Sequence, residues 1–88
     1  MSELMIMAPR VHLNGTGREV LLEDYLDAKQ AVRLAIGALK ACAPNGRDYY
    51  VIGPEAINVA QKQHADRVHR LVLVLQELDF IAQEIDRG

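Results

Sequence analysis

Eighty-eight residues, half of them apolar and with a net charge of −2, make one domain at most, spanning 1–88. A domain of this size buries only about 60–65% of the surface its unfolded chain exposes, so its own core is marginal. A single cysteine, Cys42, excludes an internal disulfide framework and points to a reducing compartment, the cytoplasm. The apolar run LVLVL at 71–75 is far short of the roughly 18–20 residues that cross a bilayer. The start, MSELMIMAPR, carries Glu3, lacks a basic n-region and has too short an apolar stretch for a secretory signal.

Residues 1–15 read as an irregular or extended arm, because Pro9 discourages helix and Val11-His12-Leu13 alternates apolar with polar. Asn14-Gly15 signals a turn. Thr16-Gly17-Arg18-Glu19 fits a capping box, in which the Thr16 hydroxyl and the Glu19 carboxylate would each take the other's backbone N–H. A helix is expected over 17–42, since Leu21, Tyr25, Ala28, Val32, Ala35, Leu39 and Cys42 alternate at spacings of four and three. On that stripe Cys42 is expected to be a structural core residue. Ala43-Pro44-Asn45-Gly46 ends the helix.

Residues 43–53 are the connecting loop, and Pro54 suits the first position of a second helix over 54–86. Ile57, Ala60, His64, Val68, Leu71, Leu75, Leu78, Ala82 and Ile85 form its apolar seam. The fold class is therefore all-α: an antiparallel helical hairpin with an extended arm. Further apolar residues, among them Val20, Leu26, Leu34, Leu73 and Val74, widen the apolar arc of both helices beyond one stripe. A second buried face, in a homo-oligomeric helical bundle, is the expected outcome.

Charge is unevenly placed. Residues 1–28 hold two basic and five acidic side chains, 29–70 seven and three, and 71–88 one and four. Folding the hairpin with 29–42 beside roughly 54–68 makes the tip basic and the base acidic. Lys29 and Arg33 share a face of the first helix, and His64 and Arg67 supply the other side. In the loop, Arg47 offers a fork suited to phosphate or carboxylate. Tyr49 and Tyr50 offer faces on which a base can stack, and Asp48 an acceptor for a ribose hydroxyl or base N–H. His12 and Asn14, from the arm of the same or a neighbouring chain, complete this candidate anion site.

Each of these features has a plainer reading. Opposite charge at the two ends also favours antiparallel self-association without any ligand. Tyr49 or Tyr50 can plug the hairpin end beside a solvated Arg47–Asp48 pair, and His64 can be a hydrogen-bonded core residue. Catalysis and cofactors are not expected. His64 and His69 are five apart, off the spacing that lets one helix grip a metal, and no histidine motif accompanies Cys42. Nucleic acid is a poor fit for a net-negative chain with no helix-turn-helix or zinc spacing.

Two stretches, VHLNGTGREVLLEDYLDA at 11–28 and APNGRDYY at 43–50, resemble a group of short phage and prophage proteins. These pair an HLNGT-type opening, a helix, a PNGRDYY-type loop and a second helix. The likeness covers most of the chain from Val11 onward, with Gly17 standing where a Ser or Thr is usual. The resemblance implies a phage setting, in which small oligomeric proteins act as sponges for the nucleotide signals of bacterial defence. Such sponges hold cyclic oligonucleotides or ADP-ribose-type molecules between subunits without cleaving them. The chain is similar to that class in size, helicity and a basic, Tyr-bearing end. The expectation is a non-enzymatic, anti-defence binding protein; the alternative is a small structural or protein-binding phage module with no small-molecule ligand.

Overall fold

A computed structural model describes residues 5–88; the first four residues of the expected arm, Glu3 included, lie outside the described residues. Helix α1 runs Arg18–Ala41 and helix α2 runs Ala56–Arg87, joined by residues 42–55, which contain a single 3-10 turn at Gly46–Asp48. The two helices pack on each other as a hairpin. No strand occurs among the described residues.

The start of α1 differs from the expected capping box. Gly17 is the N-cap, in extended conformation, and no side chain caps the helix. The helix begins one residue later than a Thr16 cap requires, and the Gly17 carbonyl accepts the first bond, from Leu21 N–H at 3.0 Å. Upstream, Gly15 N–H donates to the His12 carbonyl at 3.2 Å, closing a turn around Leu13-Asn14. The His12 imidazole lies so close over Gly15 that a Cβ there would collide with it, which is why a glycine suits this place.

At its other end α1 stops at Cys42, whose backbone N–H donates to the Leu39 carbonyl at 3.1 Å. Pro44 follows, and its missing N–H prevents another helical turn. The second helix starts at Ala56 and not at Pro54. Gly53 takes φ of +155°, a conformation that L side chains rarely adopt, and its carbonyl accepts the Ala56 N–H at 3.2 Å. Pro54 therefore belongs to the turn before the helix.

The inward stripe of α2 matches its periodicity: Ile57, Ala60, His64, Val68, Leu71, Leu75 and Leu78 are half-buried, and Ala82 and Ile85 buried. On α1 the inward face runs Leu21, Tyr25, Ala28, Lys29, Val32, Ile36 and Leu39. Ala35 and Cys42, expected on that face, are exposed. A strict seven-residue repeat lags a 3.6-residue helix by about 20° per heptad. Two heptads beyond Leu21 the buried face has therefore moved from Ala35 to Ile36.

The register also differs from expectation. Lys29 Nζ reaches Asp79 Oδ1 at 2.7 Å, so Lys29 lies beside residue 79 and not beside the 54–68 stretch. The connection is a full structured segment, not a tight turn, and it lets α2 run on past the end of α1.

Little is fully enclosed. Ile36, Ala82 and Ile85 are the buried apolar residues among those described, and Ile85 alone is inaccessible. The molecule measures 61 × 30 × 16 Å, with a radius of gyration of 18.4 Å. A compact chain of this length would have about 12 Å.

Candidate ligand-binding surface

The loop is built around Asn45. Its side-chain Oδ1 accepts the Asp48 backbone N–H at 3.3 Å, and its amide donates to Asp48 Oδ2 at 3.1 Å. Tyr49 and Tyr50 N–H groups both donate to the Gly46 carbonyl, at 3.1 and 3.0 Å. The Asn-Gly pair thus closes the 3-10 turn that carries Arg47 and Asp48, with Tyr49 as its C-cap and Tyr50 next in the chain. Asp48 spends one carboxylate oxygen on Asn45, leaving the other open. Arg47 is exposed, Tyr49 half-buried and Tyr50 73% exposed, followed by equally open Val51 and Ile52. Of the two tyrosines, Tyr49 fits the role of a plug and Tyr50 that of a platform.

His64 lies one turn from Arg67 on α2, half-buried on the inward stripe. Its Nε2 is buried and has no hydrogen-bond partner among the described residues. A buried polar atom left unpaired costs about 1–3 kcal/mol, so this nitrogen carries unfilled hydrogen-bonding capacity on the inner side of α2. Arg67 is exposed. Near the start of α2 an open groove of about 440 Å³ is lined by Glu55, Asn58, Gln61, Lys62 and Ala65.

Lys29 and Arg33 form a separate cluster. Lys29 is only 9% exposed, and its ammonium is held by Asp79, whose second oxygen accepts from Gln83 Nε2 at 2.9 Å. The hydrogen bond and the charge of Lys29 hold the Asp79 carboxyl below its ordinary value, with smaller help from Arg33 and Gln83 against a little desolvation. Lys29, Arg33, Leu75, Gln76 and Asp79 line a groove of about 300 Å³. Asp79 and Arg67 are twelve residues apart on α2, or about 18 Å. The structure therefore does not bring Lys29 and Arg33 together with His64, Arg67 and the loop.

The arm lies at the other end of the hairpin. Ala8, Pro9, Arg10 and Val11 face Glu84, Ile85, Arg87 and Gly88 across a groove of about 470 Å³. His12 and Asn14 follow directly and are exposed. The length of α1, about 36 Å for its 24 residues, separates them from the Arg47 loop of their own chain.

Sequence reasoning missed Asp79 and Gln83, the partners that fix Lys29. Their signal was present but faint: Lys29 follows Ala28, and Asp79 follows Leu78, one position off each apolar stripe, where a charge is drawn to the helix–helix boundary. Among the described residues no group of three or more His, Cys, Asp or Glu could hold a metal ion, and no helix is long and apolar enough to cross a membrane. No family model, curated protein or solved structure matches the chain.

Proposed function

We propose that the chain is a non-enzymatic, self-associating binding protein that sequesters an anionic, nucleotide-derived signal at the loop end of the hairpin, in the manner of a phage anti-defence sponge. The observation that carries this reading is the loop itself. A capped 3-10 turn and the residues after it hold Arg47, Asp48 and Tyr50, all exposed, within four positions of the chain. That set matches phosphate, ribose hydroxyl and base. His64 Nε2 and Arg67 would contribute from α2, and His12 and Asn14 from the arm of a second copy. Lys29 and Arg33 act in this reading on the packing of the hairpin and not on the ligand. Calorimetry against cyclic dinucleotides, cyclic trinucleotides and ADP-ribose isomers tests it. Binding that is lost in Arg47→Ala and Tyr50→Ala supports it, and no heat with any of these ligands would sink it.

A second reading draws on Tyr50, Val51 and Ile52, each more than 70% exposed. Three open apolar side chains in succession suit a protein contact, which would make the chain a small structural or protein-binding module. A stoichiometric protein partner lost on Val51→Asp and Ile52→Asp favours this reading over the first.

A further inference from the structure

Residues 71–75 of α2 are all apolar, and at 100° per residue they cover the whole circumference of the helix. α1 occupies only one side. Leu71, Val72 and Leu75 are half-buried, whereas Leu73 and Val74 are each 42% exposed. Phe80, the chain's one phenylalanine, stands seven residues from Leu73 on the same outer face and is 43% exposed. The outer face continues as a seam of alternating four- and three-residue spacings: Asp66, Arg70, Leu73, Glu77, Phe80 and Glu84.

We infer that this outer face of α2 is the contact with a second copy of the chain, packed antiparallel across a two-fold axis near Gln76-Glu77. The inference rests on the self-association in the proposed function and is independent of the ligand. Charge decides the orientation. Asp66 pairs with Arg70 at 3.0 Å, and Glu84 with Arg87 at 3.5 Å, each within its own helix. An antiparallel partner sets Leu73 against Phe80 of the second copy, Arg70 against Glu84 and Asp66 against Arg87. Acid thereby meets base at both ends, as a self-complementary two-fold contact requires; Glu77, at the axis, stands beside its own copy in either orientation and so does not choose between them. A parallel partner opposes each charge with its like.

Area points the same way. The chain exposes 6943 Å² at 9.8 kDa, against roughly 5,200 Å² for a compact monomer of that mass. The excess is about twice the ~800 Å² that one partner contributes to a standard interface.

The pairing also changes the binding surface. It carries the base end of the second copy, with its Pro9–Val11 segment against Glu84–Gly88, to the level of Asp66 and Arg67. His12 and Asn14 of the second copy then lie along the outer side of α2 near that level, while His64 keeps to the inner side against α1.

Sedimentation equilibrium of the full chain, with circular dichroism as the check on folding, tests the interface. The expected mass is an even multiple of 9.8 kDa, falling to the monomer in Phe80→Glu and Leu73→Glu with helicity kept. Arg70→Glu and Glu84→Arg each weaken association about tenfold or more, and together restore it. In a Cys42→Ser background, Glu77→Cys near the axis oxidises to a linked dimer faster than Asp66→Cys. A monomeric wild type, an assembly indifferent to Phe80→Glu, or Asp66→Cys linking as fast as Glu77→Cys would overturn the inference. An even-multiple assembly that binds none of the nucleotides leaves the interface standing and rejects the ligand.

Discussion

Lys29 of α1 and Asp79 of α2 meet at 2.7 Å across the helix–helix boundary, the one cross-helix ion pair among the described residues. The lysine stem is buried and the carboxylate is half open, so the pair fixes the register of the hairpin more than it adds to stability. Because the folded-state Asp79 carboxyl is held below 3.8, its contribution is fully present above that value. It is lost as pH falls through the lowered one. Thermal melts from about pH 5 down to pH 2 should show this loss in the wild type and a shallower decline in Asp79→Asn.

Ile85, near the end of α2, has no exposed surface. Ile85→Ala should cost about 2–5 kcal/mol in urea unfolding, through lost transfer energy and the cavity left behind. Leu34, 65% exposed, should by contrast tolerate alanine within about 0.5 kcal/mol. A small loss at Ile85 would mean that the helix end is frayed in solution.

Asn45 is the keystone of the loop turn. Asn45→Ala removes both hydrogen bonds to Asp48 and should weaken the turn by about 0.5–2 kcal/mol. Amide exchange at Asp48, Tyr49 and Tyr50 should quicken, while exchange in the middle of α1 and α2 stays unchanged. If the loop presents a ligand site, the same variant binds more weakly through the cost of ordering the turn.

His64 separates packing from binding. Replacing the unpartnered imidazole with leucine removes a buried unpaired nitrogen, so His64→Leu should raise the unfolding free energy by about 1–3 kcal/mol without ligand. Nucleotide affinity should fall at the same time. Destabilisation instead would show that Nε2 has a partner in solution, such as water or a second copy.

Ile57 through Ile85 on α2 were legible because a long, clean stripe with one partner obeys its own periodicity. α1 was less so. Alanines are spread around it, and Ala28, Ala31, Ala35 and Ala38 weigh almost equally on any side, so periodicity there could not separate Ala35 from Ile36. Thr16 looked like a cap because its spacing to Glu19 is right, yet a cap needs the helix to begin at the next residue, and only backbone geometry reveals that. The hairpin register was hidden for another reason. It depends on how many residues the connection absorbs, and the loop's own hydrogen bonds around Gly46 and Gly53 set that number. The candidate site inherits this: its loop could be read from the string PNGRDYY, while the separation of Lys29 and Arg33 from it could not.

The 61 × 30 × 16 Å outline has a practical consequence for how the molecule travels. A rod meets more drag than a sphere of equal mass, so a lone chain should leave a gel-filtration column early, at the position of a heavier globule. Two rods laid side by side double the mass while adding little to the longest dimension. Elution volume read against globular standards will therefore misjudge the number of chains, whereas light scattering, which weighs particles without regard to shape, will not.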